Sequence, residues 1–449
     1  MKKTLAIILA LTMASALCAC GGAQDGGKGE DSAAKTTQND SANEGDTKSK
    51  EASSDTDSAS SGEEVNLRIL LQETSAESVE AAIAPYLEQN PNIKVELVKA
   101  PDFVAMNQNA IAAHQANDDY DLITVNHVDT LAYVKGDIIQ PIEEFVKADG
   151  IDYEDIIFNS LLEQGKSDGQ LYAIPINTGT RVLAVNKELF EKYGQKYPQT
   201  QKEMLEAAAA MTKDGNFGFV NSMCRNSYVP TYEQGVFLMG NGGRLYEIED
   251  GHPVAKIDTQ EMKDFLNFNV ELLKYMPKDC LTMTEDDGRK AFATGNIGMY
   301  VFGPWEYSLM PEVDFTCELI KIPSGTKEQA STSGGFQMAI GSGTKNAGEA
   351  WNLLKYITTT PEAMASMAAT DLPTMEDAYK VAPYTDKKYD IFREQLETAY
   401  LAGIPVPNLN EVSEDFFSYW TDVLYGKISV DEACSKAQES VQKLLDKNK

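Results

Sequence analysis

Histidine is almost missing from this chain: among 449 residues there are three, His114, His127 and His252. The two nearest each other, His114 and His127, are separated by a predicted strand, so Ser-His-Asp and Cys-His constellations are thinly supplied. No HExxH helix, GxSxG elbow or GxxxxGK(S/T) phosphate loop occurs. Gly240-Asn241-Gly242-Gly243 is glycine-rich, but neither Lys-Ser nor Lys-Thr follows it, so it reads as a turn. Basic charge is scarce as well. The chain has 39 Lys and Arg against 69 Asp and Glu, a formal net charge of −30. Spread along the sequence, that balance argues against nucleic acid or an anionic lipid surface as partner and fits a solvated acidic exterior. Cysteine numbers six. Cys224, Cys280, Cys317 and Cys434 form no CxxC pair and have no histidine at metal-ligand spacing, so neither a zinc site nor any other metal or cofactor is expected. They read as buried free thiols, with a disulfide left open by spacing alone. Carboxylates are plentiful, so counting does not exclude a glycosidase-type pair. The densest pair, Asp286-Asp287, reads as the exposed start of a loop, because adjacent side chains point apart.

Only one apolar run is long, and it opens the chain. Lys2 and Lys3 precede Leu5 to Leu17, about 13 residues against the roughly 20 that a membrane span needs. It reads as a secretory signal over residues 1–19. Leu17-Cys18-Ala19-Cys20-Gly21 resembles a bacterial lipoprotein cleavage site, with Leu at −3, a small residue at −1 and Cys at +1. The resemblance implies lipidation of Cys20 and anchorage at the outer face of the cell membrane. Cys18 fits less well, because Leu17 would stand where a small residue is wanted. Residues 20–63 hold no aromatic residue and no aliphatic one larger than Ala, so they cannot offset their ordering entropy by burial and read as a tether. Such a coil spans about 35 Å on average.

From Val65 the composition is globular, and about 385 residues suit two lobes better than one core. Val65, Leu67, Ile69 and Leu71 alternate as a strand. Thr74 to Glu77 has the pattern of a capping box opening a helix that Pro85 should kink or divide. Ile93, Val95 and Leu97 form the next strand, a helix covers about 102–117, and Tyr120 to Val125 is a short buried strand. Alternation of strand and helix predicts an α/β fold with a mostly parallel sheet. Further capping boxes are expected at Thr200/Glu203 and Ser429/Glu432. Met262, Leu266, Leu273 and Met276 stripe one helix, Trp351, Leu354 and Ile357 another, and Thr360-Pro361 opens a third. Trp351 and Trp420 read as helix-core residues. No repeat of 20–50 residues is visible.

Several segments, taken in order, resemble the family-1 extracellular solute-binding proteins, relatives of the maltose-binding protein. They are Asn90-Pro91-Asn92-Ile93-Lys94-Val95, Tyr120-Asp121-Leu122, Gly136 to Ile142, Asp168 to Pro175, and Asn186-Lys187-Glu188-Leu189-Phe190. Pro198-Gln199-Thr200 with Glu203, Ala291-Phe292 with Gly295, Gly298-Met299 and Gly303-Pro304-Trp305 continue the series. Gly334-Gly335, Leu372-Pro373-Thr374 and Gly426-Lys427-Ile428-Ser429 close it. The resemblance implies a two-lobe periplasmic-binding-protein-like fold with three hinge crossovers and a ligand cleft between the lobes. The crossovers fall near Pro175–Thr178, Gly334–Phe336 and Leu372–Thr374. Lobe one would be 65–176 and 335–372, and lobe two 177–334 and 373–449. It implies a monomeric binding component that delivers a sugar or oligosaccharide to the permease subunits of an ABC importer, not an enzyme. A binder of another solute, or an extracellular glycan-active enzyme, is the competing reading.

A sugar presents axial C–H patches to aromatic faces and hydroxyls to planar polar groups. Trp305 is the first candidate platform, since family relatives stack sugar at that place, with Glu306 beside it as a hydroxyl acceptor or a solvated carboxylate. Gln72 and Glu73 end the first strand at the carboxyl edge, where open α/β sheets bind ligands, and Asn126, His127 and Asp129 follow a later strand end in the same way. Asn177 and Thr178 lie at the first crossover. Tyr228 and Tyr232 straddle Pro230 in a loop. Gly334 and Gly335 would let backbone N–H groups approach a ligand or serve as a hinge turn.

Overall fold

The computed structural model describes residues 64–224, 230–368, 370–401, 406 and 408–448. The expected signal, the tether, Cys20 and Tyr228 lie outside them.

Five strands form one sheet, in the order Ile93–Ala100, Val65–Gln72, Leu122–Asn126, Phe336–Ile340, Ala173–Pro175. The first three are parallel, and the last two run antiparallel to their neighbours, so the sheet is mixed. Strand period fixes its two faces. Leu67, Ile69 and Leu71 point into a core with Leu354 and Ile357 of the helix Ala347–Thr359. Leu70 points the other way, into a core with Met106 of the helix Phe103–Gln115. A four-stranded sheet, Cys317–Ile320, Val182–Asn186, Ile297–Phe302 and Phe217–Val220, has its own core built around Phe219, Phe237, Phe265 and Trp420. Trp351 and Trp420 are both buried.

A third, short sheet joins two segments that connect the larger sheets, Ser331–Gly334 and Gly179–Thr180, with a later strand, in the order Ala399–Leu401, Ser331–Gly334, Gly179–Thr180. The chain leaves the first sheet at Pro175, passes through Gly179–Thr180 and enters the second at Val182. It returns through Ser331–Gly334 directly into Phe336–Ile340. The third segment is tied to the first, since Thr178 and Leu372 exchange backbone hydrogen bonds of 2.8 Å in both directions.

Local departures from expectation have simple causes. A 3₁₀ turn, Glu73–Ser75, takes up the expected first box, and the helix Ala76–Gln89 starts without a side-chain cap. Pro85 does not divide that helix: Pro85 and Ala81 are exposed, so the Ala81 carbonyl left without a donor meets water. At Thr200 the hydroxyl accepts from the Glu203 amide, but Glu203 accepts from the Gln199 amide instead of reciprocating. At Ser429 the hydroxyl likewise accepts from the Glu432 amide. A reciprocal box forms where none was expected, between Thr284 and Asp287. Asp286 and Asp287 are thus the first turn of the helix Glu285–Ala293, where carboxylates favour the exposed amides, and not a loop. The helix Gln260–Leu272 ends before Leu273 and Met276. No disulfide forms among the four described cysteines, and Cys280 and Cys434 are buried. No described helix is long and apolar enough to cross a membrane.

Candidate functional site

Two glycines on the short hinge strands make room for a cluster of side chains. Gly179 and Gly334 face each other across the antiparallel pair. A Cβ at Gly334 would stand 2.5 Å from His127 Cε1 and 2.7 Å from Tyr232 Cε1. A Cβ at Gly179 would stand 3.2 Å from the Trp305 ring and 3.1 Å from Asp371 Oδ1. At Gly334 any larger residue would have to displace both rings, so close approach requires glycine there, whereas at Gly179 the Trp305 ring and Asp371 would have to give by a few tenths of an ångström.

Arg181 ties the group together. Its guanidinium lies 4.6 Å from the centre of the Tyr232 ring and 4.6 Å from that of Trp305, and its Nε donates to Glu233 Oε1 at 3.0 Å. Trp305 is partly buried, and its indole N–H donates to Glu285 Oε1 at 3.0 Å. His127 packs edge-on to Tyr232 with centroids 6.1 Å apart. Its Nδ1 meets the Gly335 backbone at 3.3 Å, and its buried Nε2 has no hydrogen-bond partner among the described residues. Burial, with the Arg181 charge adding, holds His127 down to about 4, so the ring is neutral at neutral pH.

Of the three carboxylates nearby, Glu233 pairs with Arg181, Asp371 lies within the field of Arg181, and Glu285, bonded to the Trp305 indole, pairs with Arg289 at 3.5 Å. Burial pushes Glu233 up to about 7, with Arg181 opposing and Glu285 adding. Burial likewise pushes Asp371 up to about 7, with Arg181 opposing and Glu285 adding. A carboxyl raised in the folded state stabilises most below its unfolded value near 4, and that contribution is lost as pH rises through about 7. His127 acts oppositely: its contribution is lost as pH falls from about 6.5 through about 4. Asp371→Asn is therefore expected to flatten the fall in apo-protein melting temperature between about pH 5 and about pH 7.5. Scanning calorimetry checks this, and an unchanged slope would mean that Asp371 is ionised throughout.

The other expected residues have varied placements. Asn177 is buried, and its Oδ1 accepts from the Phe336 amide at 2.7 Å, while the Thr178 hydroxyl reaches the Gly334 carbonyl at 3.5 Å. Both therefore hold hinge strands together. A Cβ at Gly335 would stand 2.3 Å from the Asn177 carbonyl oxygen. Gly335→Ala is expected to cost about 1–3 kcal/mol in denaturant unfolding through overpacking of this crossover. Asn126 is buried and accepts from the Val128 amide at 3.3 Å. Asp129, also buried, accepts from Asn107 Nδ2 at 3.0 Å and opens the helix Thr130–Lys135. Gln72 is half-buried, and Glu73 is exposed at the strand end; its carbonyl accepts from the Ala76 amide, and its side chain makes no hydrogen bond among the described residues.

Glu306 requires a correction. It is neither solvated nor open to a sugar, being 1% exposed. Arg289 grips both its oxygens, Nε to Oε2 at 2.6 Å and Nη2 to Oε1 at 3.1 Å, and the Tyr300 hydroxyl donates to Oε1 at 2.9 Å. Arg181, Glu233, Asp371 and Glu285 were missed. A usable signal existed for two of them: Arg181 and Asp371 are charges within three residues of expected crossovers.

A family model for bacterial extracellular solute-binding protein matches residues 81–389, and the chain belongs to that family. Among solved structures, an ABC transporter solute-binding protein from Thermotoga lettingae bound with alpha-D-tagatose is 26% identical, with a TM-score of 0.73 over 85% of this chain and 99% of that one. The maltose-bound MalE3 of T. maritima gives a TM-score of 0.73 at 21% identity over 84% and 99%. A maltotriose-binding protein of Pyrococcus abyssi is 22% identical over 289 residues, 63% of this chain and 60% of its own length. The fold is thus the two-lobed fold of these binding proteins.

Proposed function

We propose that this protein is the substrate-binding component of an ABC importer and captures a sugar or short oligosaccharide between its lobes. The observation that carries the reading is the partly exposed Trp305 ring, bordered by one guanidinium and three carboxylates beside the hinge strands. An aromatic face for C–H patches with charged hydrogen-bonding groups around it is what a polyhydroxylated ligand needs. Solved relatives are bound to tagatose, maltose, cycloalternan and acarbose, which supports the sugar class. In this reading the sugar stacks on Trp305. The Arg181 guanidinium leaves the ring to donate to hydroxyls, and Tyr232 supplies a second surface. Glu73, Asn126, His127, Asp129 and Asn177 border the same space, and Gly334 and Gly335 keep its floor open.

Closure is a hinge motion of lobe one, 65–176 with 335–372, against lobe two, 177–334 with 373–449, about the segments that meet at Thr178 and Leu372. The ligand leaves unchanged, and the monomer passes it to permease subunits. Cys20 carries the lipid that anchors the protein outside the cell membrane, with residues 21–63 as spacer.

A thermal-shift screen of mono- and oligosaccharides tests the substrate class. At least one sugar should raise the melting temperature by several degrees at a hundredfold excess over its Kd, a stabilisation of about 2.7 kcal/mol. Stabilisation by a different solute class alone would overturn it.

A further inference from the structure

The hinge strands have a second face, and a cavity of about 700 Å³ opens on it. Thr178 and Ser333 line this cavity, whereas their neighbours Gly179 and Gly334 face Trp305, His127 and Tyr232. Successive strand residues point to opposite faces, so the cavity lies on the reverse of the sheet from the Trp305 cluster. Its walls are largely apolar: Leu161 and Tyr379 on one side, Phe265 and Phe416 on the other, all buried.

Its charges are unlike those of the rest of the molecule. Six arginines occur in a chain of net charge −30. Five lie in the described residues, and three of those are ion-paired: Arg68 with Asp118, Arg181 with Glu233, Arg289 with Glu306. The other two, Arg244 and Arg393, make no ion pair among the described residues, and both line this cavity. Each guanidinium is instead laid on a lining tyrosine, Arg244 at 4.4 Å from the Tyr400 ring and Arg393 at 4.7 Å from the Tyr379 ring. Arg244 Nη1 also donates to the Gly243 carbonyl at 2.7 Å. Glu397 is the one carboxylate among the described lining residues, and the Tyr400 hydroxyl donates to Glu328 at 2.9 Å. Tyr379 is 7% exposed, and its buried hydroxyl has no hydrogen-bond partner among the described residues. A buried polar atom left unpaired in an apolar wall marks a place where a partner is missing.

We infer that this cavity is a second binding site, for a small organic anion with an aromatic or branched apolar body. The apolar part fills the space between Leu161, Tyr379, Phe265 and Phe416. The anionic group accepts from Arg393, Arg244 and the Tyr379 hydroxyl, since planar guanidinium forks match carboxylate and sulfonate oxygens. The site is independent of the sugar reading, because it lies on the other face of the hinge strands.

The test is a fluorescence titration of the full chain with 1-anilinonaphthalene-8-sulfonate, alongside neutral N-phenyl-1-naphthylamine. The sulfonate is expected to bind saturably with one site per chain. Arg244→Ala/Arg393→Ala should weaken it about tenfold or more, and Tyr379→Phe about three- to tenfold, with circular-dichroism melts confirming the fold. The neutral probe should bind more weakly and not respond to the arginine changes, and Trp305→Ala should leave sulfonate binding unchanged. Tyr379→Phe removes only a hydroxyl and decides the matter if the double variant does not fold. No saturable binding, binding indifferent to Tyr379→Phe and to the arginines, or binding lost with Trp305→Ala would each overturn the proposal.

Discussion

Trp305→Ala is expected to weaken sugar binding about 30- to 150-fold, about 2–3 kcal/mol, when affinity is measured by calorimetry. The ring is the largest apolar surface in the cluster, and Ala leaves nothing for a sugar's C–H face. The apo protein should lose only about 1–2 kcal/mol, because the ring is partly exposed and its indole N–H bonds to a partly exposed Glu285 rather than to the core. The two readouts separate binding from packing. Unchanged affinity together with a large fall in apo stability would make Trp305 a core residue and remove the platform from the account.

Arg289→Leu should produce the largest loss of stability, about 3–5 kcal/mol in denaturant unfolding. Glu306 is buried, and Arg289 satisfies both its oxygens. Without that partner the carboxyl is left in a low-dielectric site with only the Tyr300 hydroxyl. Burial already raises Glu306 against the pull of Arg289, so the isolated carboxyl would take up a proton and the loss would grow as pH rises. The paired change Arg289→Leu/Glu306→Leu should recover much of the loss, since a buried ion pair and an apolar pair of similar volume are often close in stability. Glu306 follows Trp305 directly, so the ion pair also fixes the turn that carries the ring. If Arg289→Leu unfolded no more easily than the parent, the pair would be incidental.

The two-lobed architecture was legible because each strand of the first sheet carries its own period. Leu67, Ile69 and Leu71 declare one buried face, and the ordered segments from Asn90-Pro91 to Gly426–Ser429 declare the chain path. The mixed sheet was not legible from period alone. Strand direction is set by the connection, and Phe336–Ile340 arrives from the hinge strand Ser331–Gly334 rather than through a helical crossover. Trp305, Tyr232 and His127 are placed together by contacts more than 70 residues apart in sequence, which no local pattern encodes. Glu306 misled for the same reason. Adjacent to Trp305 in sequence, it points instead to Arg289, which lies one helix earlier and was invisible as a partner. Asp287 was read as a loop residue because its value lies in a bond back to Thr284, three residues away, and the Thr-x-x-Asp pattern there was passed over.

A crystal structure with the best sugar from the screen tests the central claim most directly. The account predicts a sugar ring within about 4 Å of the Trp305 indole, beside Tyr232 and Asp371, with the Arg181 guanidinium moved off the ring toward hydroxyl oxygens. A sugar bound elsewhere, with Arg181 still covering Trp305, would contradict it.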